Sequence, residues 1–293
     1  MKAIRRVIFI VLMGLALSMI TRYAYGSDVV KLEYKYVPGE LLRYKMVADM
    51  KIHLTGGPNA ASITMPVKMA GVFKQKTKRL LSDGDAEIIL AFESLRMEMM
   101  GKTCELPFKQ IPPISMVVSK TGMVKGLSSN ELLGSFIPGG KLMCPSGMGT
   151  NMVLLPQEEL RIGDTWTRDF PKIEGLNNVK LSGKLLSTDF KVGKYTTAVF
   201  KQCFGGDFDM TSPMAMNANG GSLLPVGGNM KGSFLGDTTV CFSAEKGQLI
   251  RTDGQLSMNM TANMPDTNGN HANVSLNVEI AYQMFLLPAG TKK

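Results

Sequence analysis

The sequence predicts an all-β protein, built either as one continuous antiparallel sheet or as a β-sandwich of two stacked sheets. Three observations carry this expectation. Apolar and polar residues alternate with period two over long stretches, as strands with one apolar and one wet face require. Tight-turn residues punctuate the alternation. Helical periodicity is nearly absent, and only "SSNELLGSF", capped by Ser129 or Asn130, could start a short helix.

The first residues read as a leader rather than as part of the sheet. Lys2, Arg5 and Arg6 form a basic start, Val7 to Ile20 an apolar run, and Ala24 and Gly26 stand at −3 and −1 of a cleavage site before Ser27. This is the layout of a secretory signal peptide over residues 1–26. The run is short of the roughly 20 apolar residues of a span, which argues against a membrane anchor. No Cys precedes Cys104, so a lipid-modified Cys at the cleavage point is not expected. The protein is therefore expected to be exported, periplasmic or extracellular, and not a lipoprotein.

The remainder, 27–293, reads as one β-rich domain. In "RYKMVADMKIHL", Tyr44, Met46, Ala48, Met50, Ile52 and Leu54 share one side. In "SITMPVKMAGVFKQK", Ile63, Met65, Val67, Met69 and Phe73 do the same. "SDGD" turns the chain into "AEIILAFESLRMEM", where Met97 and Met99 are further apolar-face candidates. "MVVSKTGMVKG" and "VCFSAEKGQLI" read as hairpins about a Gly turn. "GQLSMNMTANM" places Leu256, Met258, Met260, Ala262 and Met264 on one side, and "NVSLNVEIAYQM" does so for Val274, Leu276, Val278, Ile280, Tyr282 and Met284. "PDTNGN" lies between these two as a turn. The stretch Thr211 to Gly232, rich in Gly, Asn and Pro and without periodicity, reads as a long loop or flap.

One pattern occurs twice. Gly39-Glu40 and Gly163-Asp164 each lead into a strand, then a turn (Gly84, Gly193), an apolar strand and a Gly-turn hairpin (Gly122, Gly247). Gly39 to Gly122 is 83 residues (122 − 39), and Gly163 to Gly247 is 84 (247 − 163). Two diverged half-repeats, 27–150 and 151–293, would produce this spacing, and so would turn chemistry common to β proteins.

The stretches "YVPGELLRYKM", "LSDGDAEIILAFESLRMEM", "LPQEELRIGDTW" and "FSAEKGQLIRTDGQLSMNM" together resemble a family of uncharacterised exported bacterial proteins with Gly-Glu/Asp strand entries and Met-alternating strands. The resemblance implies a fold similar to the periplasmic lipoprotein-carrier superfamily, a strongly curved half-barrel sheet with an apolar concave side. It implies no catalytic residues. The long stretch around Gly205 to Gly232 departs from a regular sheet of that kind.

Enzyme chemistry finds no foothold. The two His, His53 and His271, have no metal-ligand spacing, so neither metal nor cofactor is expected. No GxSxG elbow occurs. "GSFIPGGKL" has one residue too many before its Lys, and Leu142 stands where a phosphate loop needs Ser or Thr. "SAEK" and "KTG" fit parts of the penicillin-binding set, but in the wrong order and on hairpin turns. The formal charge is +9, and the leader's Lys2, Arg5, Arg6 and Arg22 account for four, leaving +5 (9 − 4). Those charges are dispersed, without the aromatic-basic motifs of nucleic-acid binding.

Of the 23 Met, many fall on the apolar sides. Met defines a core loosely but accommodates varied apolar partners. Met46, Met50, Met65, Met69, Met97, Met99, Met258, Met260, Met264, Tyr282 and Met284 are thus candidates to line a concave surface holding lipid or another apolar ligand. Lipid, lipoprotein or an envelope surface are the partners this admits. The alternative is an envelope scaffold or interaction module with a closed, ligand-free core, in which these Met simply replace Leu. Four Cys in an exported chain allow disulfides. Cys203–Cys241 and Cys104–Cys144 are the expected pairs, with four buried free thiols as the alternative.

Overall fold

The structure is a computed structural model. It describes residues 29–56, 62–105, 113–127, 153–169, 176–212, 228–265 and 271–289. The leader 1–26, the helix suggested near Ser129, the turn 266–270 and Cys144 lie outside the described residues.

The strands are β1 (Leu41–Gly56), β2 (Ser62–Leu80), β3 (Ala86–Met99), β4 (Lys102–Glu105), β5 (Ile114–Val118), β6 (Val124–Leu127), β7 (Thr165–Asp169), β8 (Leu176–Val192), β9 (Tyr195–Ser212), β10 (Gly228–Ser243), β11 (Gln248–Pro265) and β12 (His271–Leu286). They form one antiparallel sheet in the order β6-β5-β3-β2-β1-β12-β11-β10-β9-β8-β7, with β4 on the side of β3. The all-β expectation holds, and one sheet rather than two stacked sheets is present. It curves like a half-barrel and does not close. Buried Phe73 and Ile88, from one half of the order, share a single core with Phe200 and Phe242 from the other. A flat sheet could not bring those side chains together.

The two Gly-acid entries are built alike. Gly39 N–H donates to Thr77 O (2.8 Å) and Thr77 N–H to Glu40 O (3.0 Å), while Gly163 N–H donates to Leu185 O (2.8 Å) and Leu185 N–H to Asp164 O (3.0 Å). Each turn also closes on itself, Glu40 N–H to Val37 O and Asp164 N–H to Arg161 O, both 3.0 Å. Both glycines have positive φ, 81° and 95°, a backbone that L side chains adopt at a cost.

Thr211 to Gly232 differs from expectation. Its two ends are strand, since β9 runs through Ser212 and β10 begins at Gly228. Gly232 lies directly opposite Phe208, whose ring occupies the space a Cβ at 232 would need. The glycine serves packing across the sheet here rather than breaking a strand.

The Cys203–Cys241 disulfide is not formed, and both thiols are free. Cys203 lies opposite Asp237 and Cys241 opposite Val199. The two share a face but are four residues apart along the strands, about 14 Å at about 3.4 Å per residue. Disulfide geometry requires Cα atoms within about 7 Å. Cys104 is also a free, exposed thiol.

Candidate functional site: the methionine end of the apolar face

Register places the methionine candidates on one face in continuous rungs. The first runs Met97–Met69–Ala48–Tyr282–Gly254–Thr238–Gln202–Gly183–Trp166 from β3 to β7. The next runs Met99–Val67–Met50–Ile280–Leu256–Gly236–Phe204–Leu181. Met65, Ile52, Val278, Met258 and Phe234 form a third, and Leu54, Leu276, Met260, Gly232 and Phe208 a fourth. On the other side of the first rung, Met46 pairs with Met284. The structure thus brings together every apolar candidate with described side-chain placement. The side chain of Met264 lies outside the described residues.

Burial is uneven along these rungs. On β8 to β10 the face is closed, with Leu181, Phe200, Phe204, Phe208 and Phe234 all buried. Glycines opposite aromatic rings make this possible. Trp166 lies across from Gly183, Phe204 from Gly236 and Phe234 from Gly206, and each ring fills space beside its glycine. Aromatic cover of strand glycines lets a sheet curve without leaving a void. On β1 to β3 and the adjoining β12 and β11, Met46, Met50, Met69, Met97, Met99, Met260 and Tyr282 are only half-buried. Met65, Met258 and Met284 are buried, at 6–7% exposure. The accessible part of the apolar surface is thus shared by six methionines with Tyr282, Ile52, Leu54 and Leu276.

The opposite end is shut. The segment before β1 bridges to the segment before β7 through Val30 and Leu160 (2.8 and 2.9 Å). It also docks on both hairpin turns, with Tyr34 N–H on Lys120 O (2.8 Å) and Lys35 N–H on Gly247 O (3.1 Å). The Tyr34 hydroxyl accepts from Val153 N–H (2.8 Å) and donates to Val153 O (3.2 Å). Leu154 O accepts from the Gln202 amide, and Leu155 O from Arg168 Nη1 at 2.9 Å. Burial pushes the Tyr34, Tyr36 and Tyr44 hydroxyls well above the ordinary tyrosine range, so all stay neutral. Residues 153–155 form a strap that the sequence analysis did not identify. "VLLPQ" has no periodicity, and only its apolar run between polar stretches hinted at burial.

Charge sits on the other side of the sheet. Arg43 bonds Glu93 (2.6 Å), and Glu87 accepts from Lys78 and Arg79, both at 2.7 Å. Those two donors hold the Glu87 carboxyl down at about 2. Among the described residues no cluster of three or more His, Cys, Asp or Glu could hold a metal.

No family model and no curated protein matches the chain. Among solved structures it is similar to one described as lipid-protein interactions in lipovitellin, at 9% identity and TM-score 0.45, over 88% of this chain and 27% of that one. The chain thus spans about a quarter of that protein's length. It is also similar to DynF of the dynemicin biosynthesis pathway of Micromonospora chersina (10% identity, TM-score 0.20, 87% and 85% covered). A third is Pseudomonas aeruginosa OccK5 (8%, TM-score 0.21, 84% and 98% covered). At these TM-scores none of the three bears on how this chain works.

Proposed function

We propose that this is a non-catalytic, exported protein that holds an apolar ligand, a lipid or acyl chain, against the methionine end of its curved sheet. One observation carries the reading. The apolar face is sealed by aromatic rings on one side and by the strap at one end, while its accessible remainder carries six half-buried Met on neighbouring rungs beside Ile52, Leu54, Leu276 and Tyr282. A core of ordinary Leu would pack rigidly, whereas Met side chains can rearrange around an acyl chain of variable shape. Export follows the leader's layout, with processing after Gly26.

Titration with a fluorescent fatty acid tests this. Wild type should bind saturably. Replacing Met50 and Met69 with Gln, which keeps length but adds an amide to be desolvated, should weaken binding by roughly tenfold. Saturable binding that is unchanged in the double variant would contradict the assignment.

A second reading has its own support. The continuous core from Phe73 to Phe242 would serve equally in a closed envelope scaffold, with no ligand and with partners at the sheet's surfaces. In that case the fatty acid would not bind wild type.

A further inference from the structure

The polar face of the same sheet is not uniform. Over most of it long charged side chains stand outward, such as Lys45, Lys51, Lys68, Lys74 and Glu279. Toward the end remote from the strap they give way to short ones. His53, Asn277, Asn259, Ser233 and Asp207 stand in one rung across β1, β12, β11, β10 and β9. Thr55, Ser275 and Thr261 follow in the next, which ends on the longer Lys231. The shortfall in side-chain length leaves a shallow groove of about 450 Å³ running across the strands. That is within the size of small-ligand sites, about 300–1,000 Å³.

The lining is set up for hydrogen bonding and is balanced in charge. Asn277 Nδ2 donates to Asn259 Oδ1 (2.6 Å), and His53 Nδ1 meets Thr64 Oγ1 (2.7 Å). These contacts fix the side chains and leave amide donors and acceptors over for a ligand. Lys231 pairs with Asp209 at 2.9 Å, and Asp207 accepts from the neutral Asn178 amide at 3.0 Å. Lys231 and Asp207 carry opposite charges, so the lining has no net formal charge to favour an ionic ligand of either sign. Successive side chains along a rung stand about 4.8 Å apart, the strand spacing, so the groove offers an evenly repeating row of groups. On the rung beside Ser233, Leu235 is 67% exposed on this same face, giving an apolar edge next to the polar floor.

We propose that this groove binds a neutral oligosaccharide. Sugar hydroxyls both donate and accept, as Asn amides and Ser and Thr hydroxyls can answer. A sugar ring also presents a C–H face for Leu235, and an extended glycan repeats its groups along its length as the rung does. The groove's polar side chains are on the opposite face from the methionine field, though Gly232, Met260 and Leu276 of that face's fourth rung also line it, and the proposal does not depend on the function proposed for the field.

Calorimetric titration with cellotetraose, chitotetraose and maltotetraose tests the assignment. At least one should bind wild type with an affinity insensitive to salt. Replacing Asn259 and Asn277 together with Ala should weaken it by roughly tenfold or more, with fatty-acid uptake unchanged. Ser233→Tyr, which fills the groove from a single strand, should do the same and serves if the double variant fails to fold. No binding of any of the three, binding unaffected by these substitutions, or binding that fades with salt would each overturn the proposal.

Discussion

Phe204 lies directly across from Gly236, and its ring occupies the place where a Cβ at 236 would stand. The pair shows how the sheet bends: the ring covers a bare backbone, and the neighbouring strand approaches without a void. Gly236→Val should displace the ring and destabilise the fold by about 1–3 kcal/mol through overpacking. Urea unfolding measures it, and a variant as stable as wild type would remove the covering role from Phe204.

Met258 and Met260 share a side of β11 but differ in burial. Met258 is 7% exposed, and Met260 is half-buried at the accessible end. Met258→Asp should therefore cost several kcal/mol, as an unpaired buried charge does. Met260→Asp should cost clearly less, since its carboxylate can reach water. Equal melting temperatures for the two variants would contradict the difference in access between Met258 and Met260.

The strap should depend on one hydroxyl. Tyr34→Phe removes the donor to Val153 O and the acceptor for Val153 N–H, at a cost of about 1–3 kcal/mol. Hydrogen exchange at Val153 should accelerate in the variant more than exchange in the centre of β10. Uniform acceleration would point to a global rather than a local role.

Acid should act through Glu87. Its folded pKa, about 2, lies below the ordinary 4.5 because Lys78 and Arg79 bond the carboxylate. A depressed carboxyl contributes stability that is fully present above its unfolded pKa and is lost as pH falls toward its folded one. Melting temperature should thus fall between about pH 4.5 and pH 2 more steeply in wild type than in Glu87→Gln. Parallel curves would remove Glu87 from the acid response.

The cysteines should differ in reactivity. Cys104 and Cys203 are exposed, while Cys241 is buried and its thiol is pushed up by burial. A bulky maleimide should label the first two in the native protein and Cys241 only on unfolding. Ready native labelling of Cys241 would contradict the packing of β10 against β9 and β11.

Much of this architecture was legible before the structure. Alternation in "RYKMVADMKIHL" and "NVSLNVEIAYQM" gave the faces, and Gly39 and Gly163 marked turns that prove to share one hydrogen-bond plan. Legibility ended where pairing register was needed. Gly232 and Gly236 look like breakers until Phe208 and Phe204 are set opposite them. Cys203 and Cys241 have the right parity, yet a four-residue offset that sequence cannot supply separates them. The polar groove was visible only as Asn, Ser and Thr at outward positions of β11 and β12, residues that read as ordinary wet surface until five strands align them.

The most direct test of the central claim is native mass spectrometry of the protein purified from its own cells without detergent. The account predicts a mass in excess of the processed polypeptide, released by organic extraction as lipid or another acyl-bearing molecule, and reduced when Met50 and Met69 are both replaced by Gln. Protein that carries no such mass, and takes none up when offered fatty acid, would contradict it.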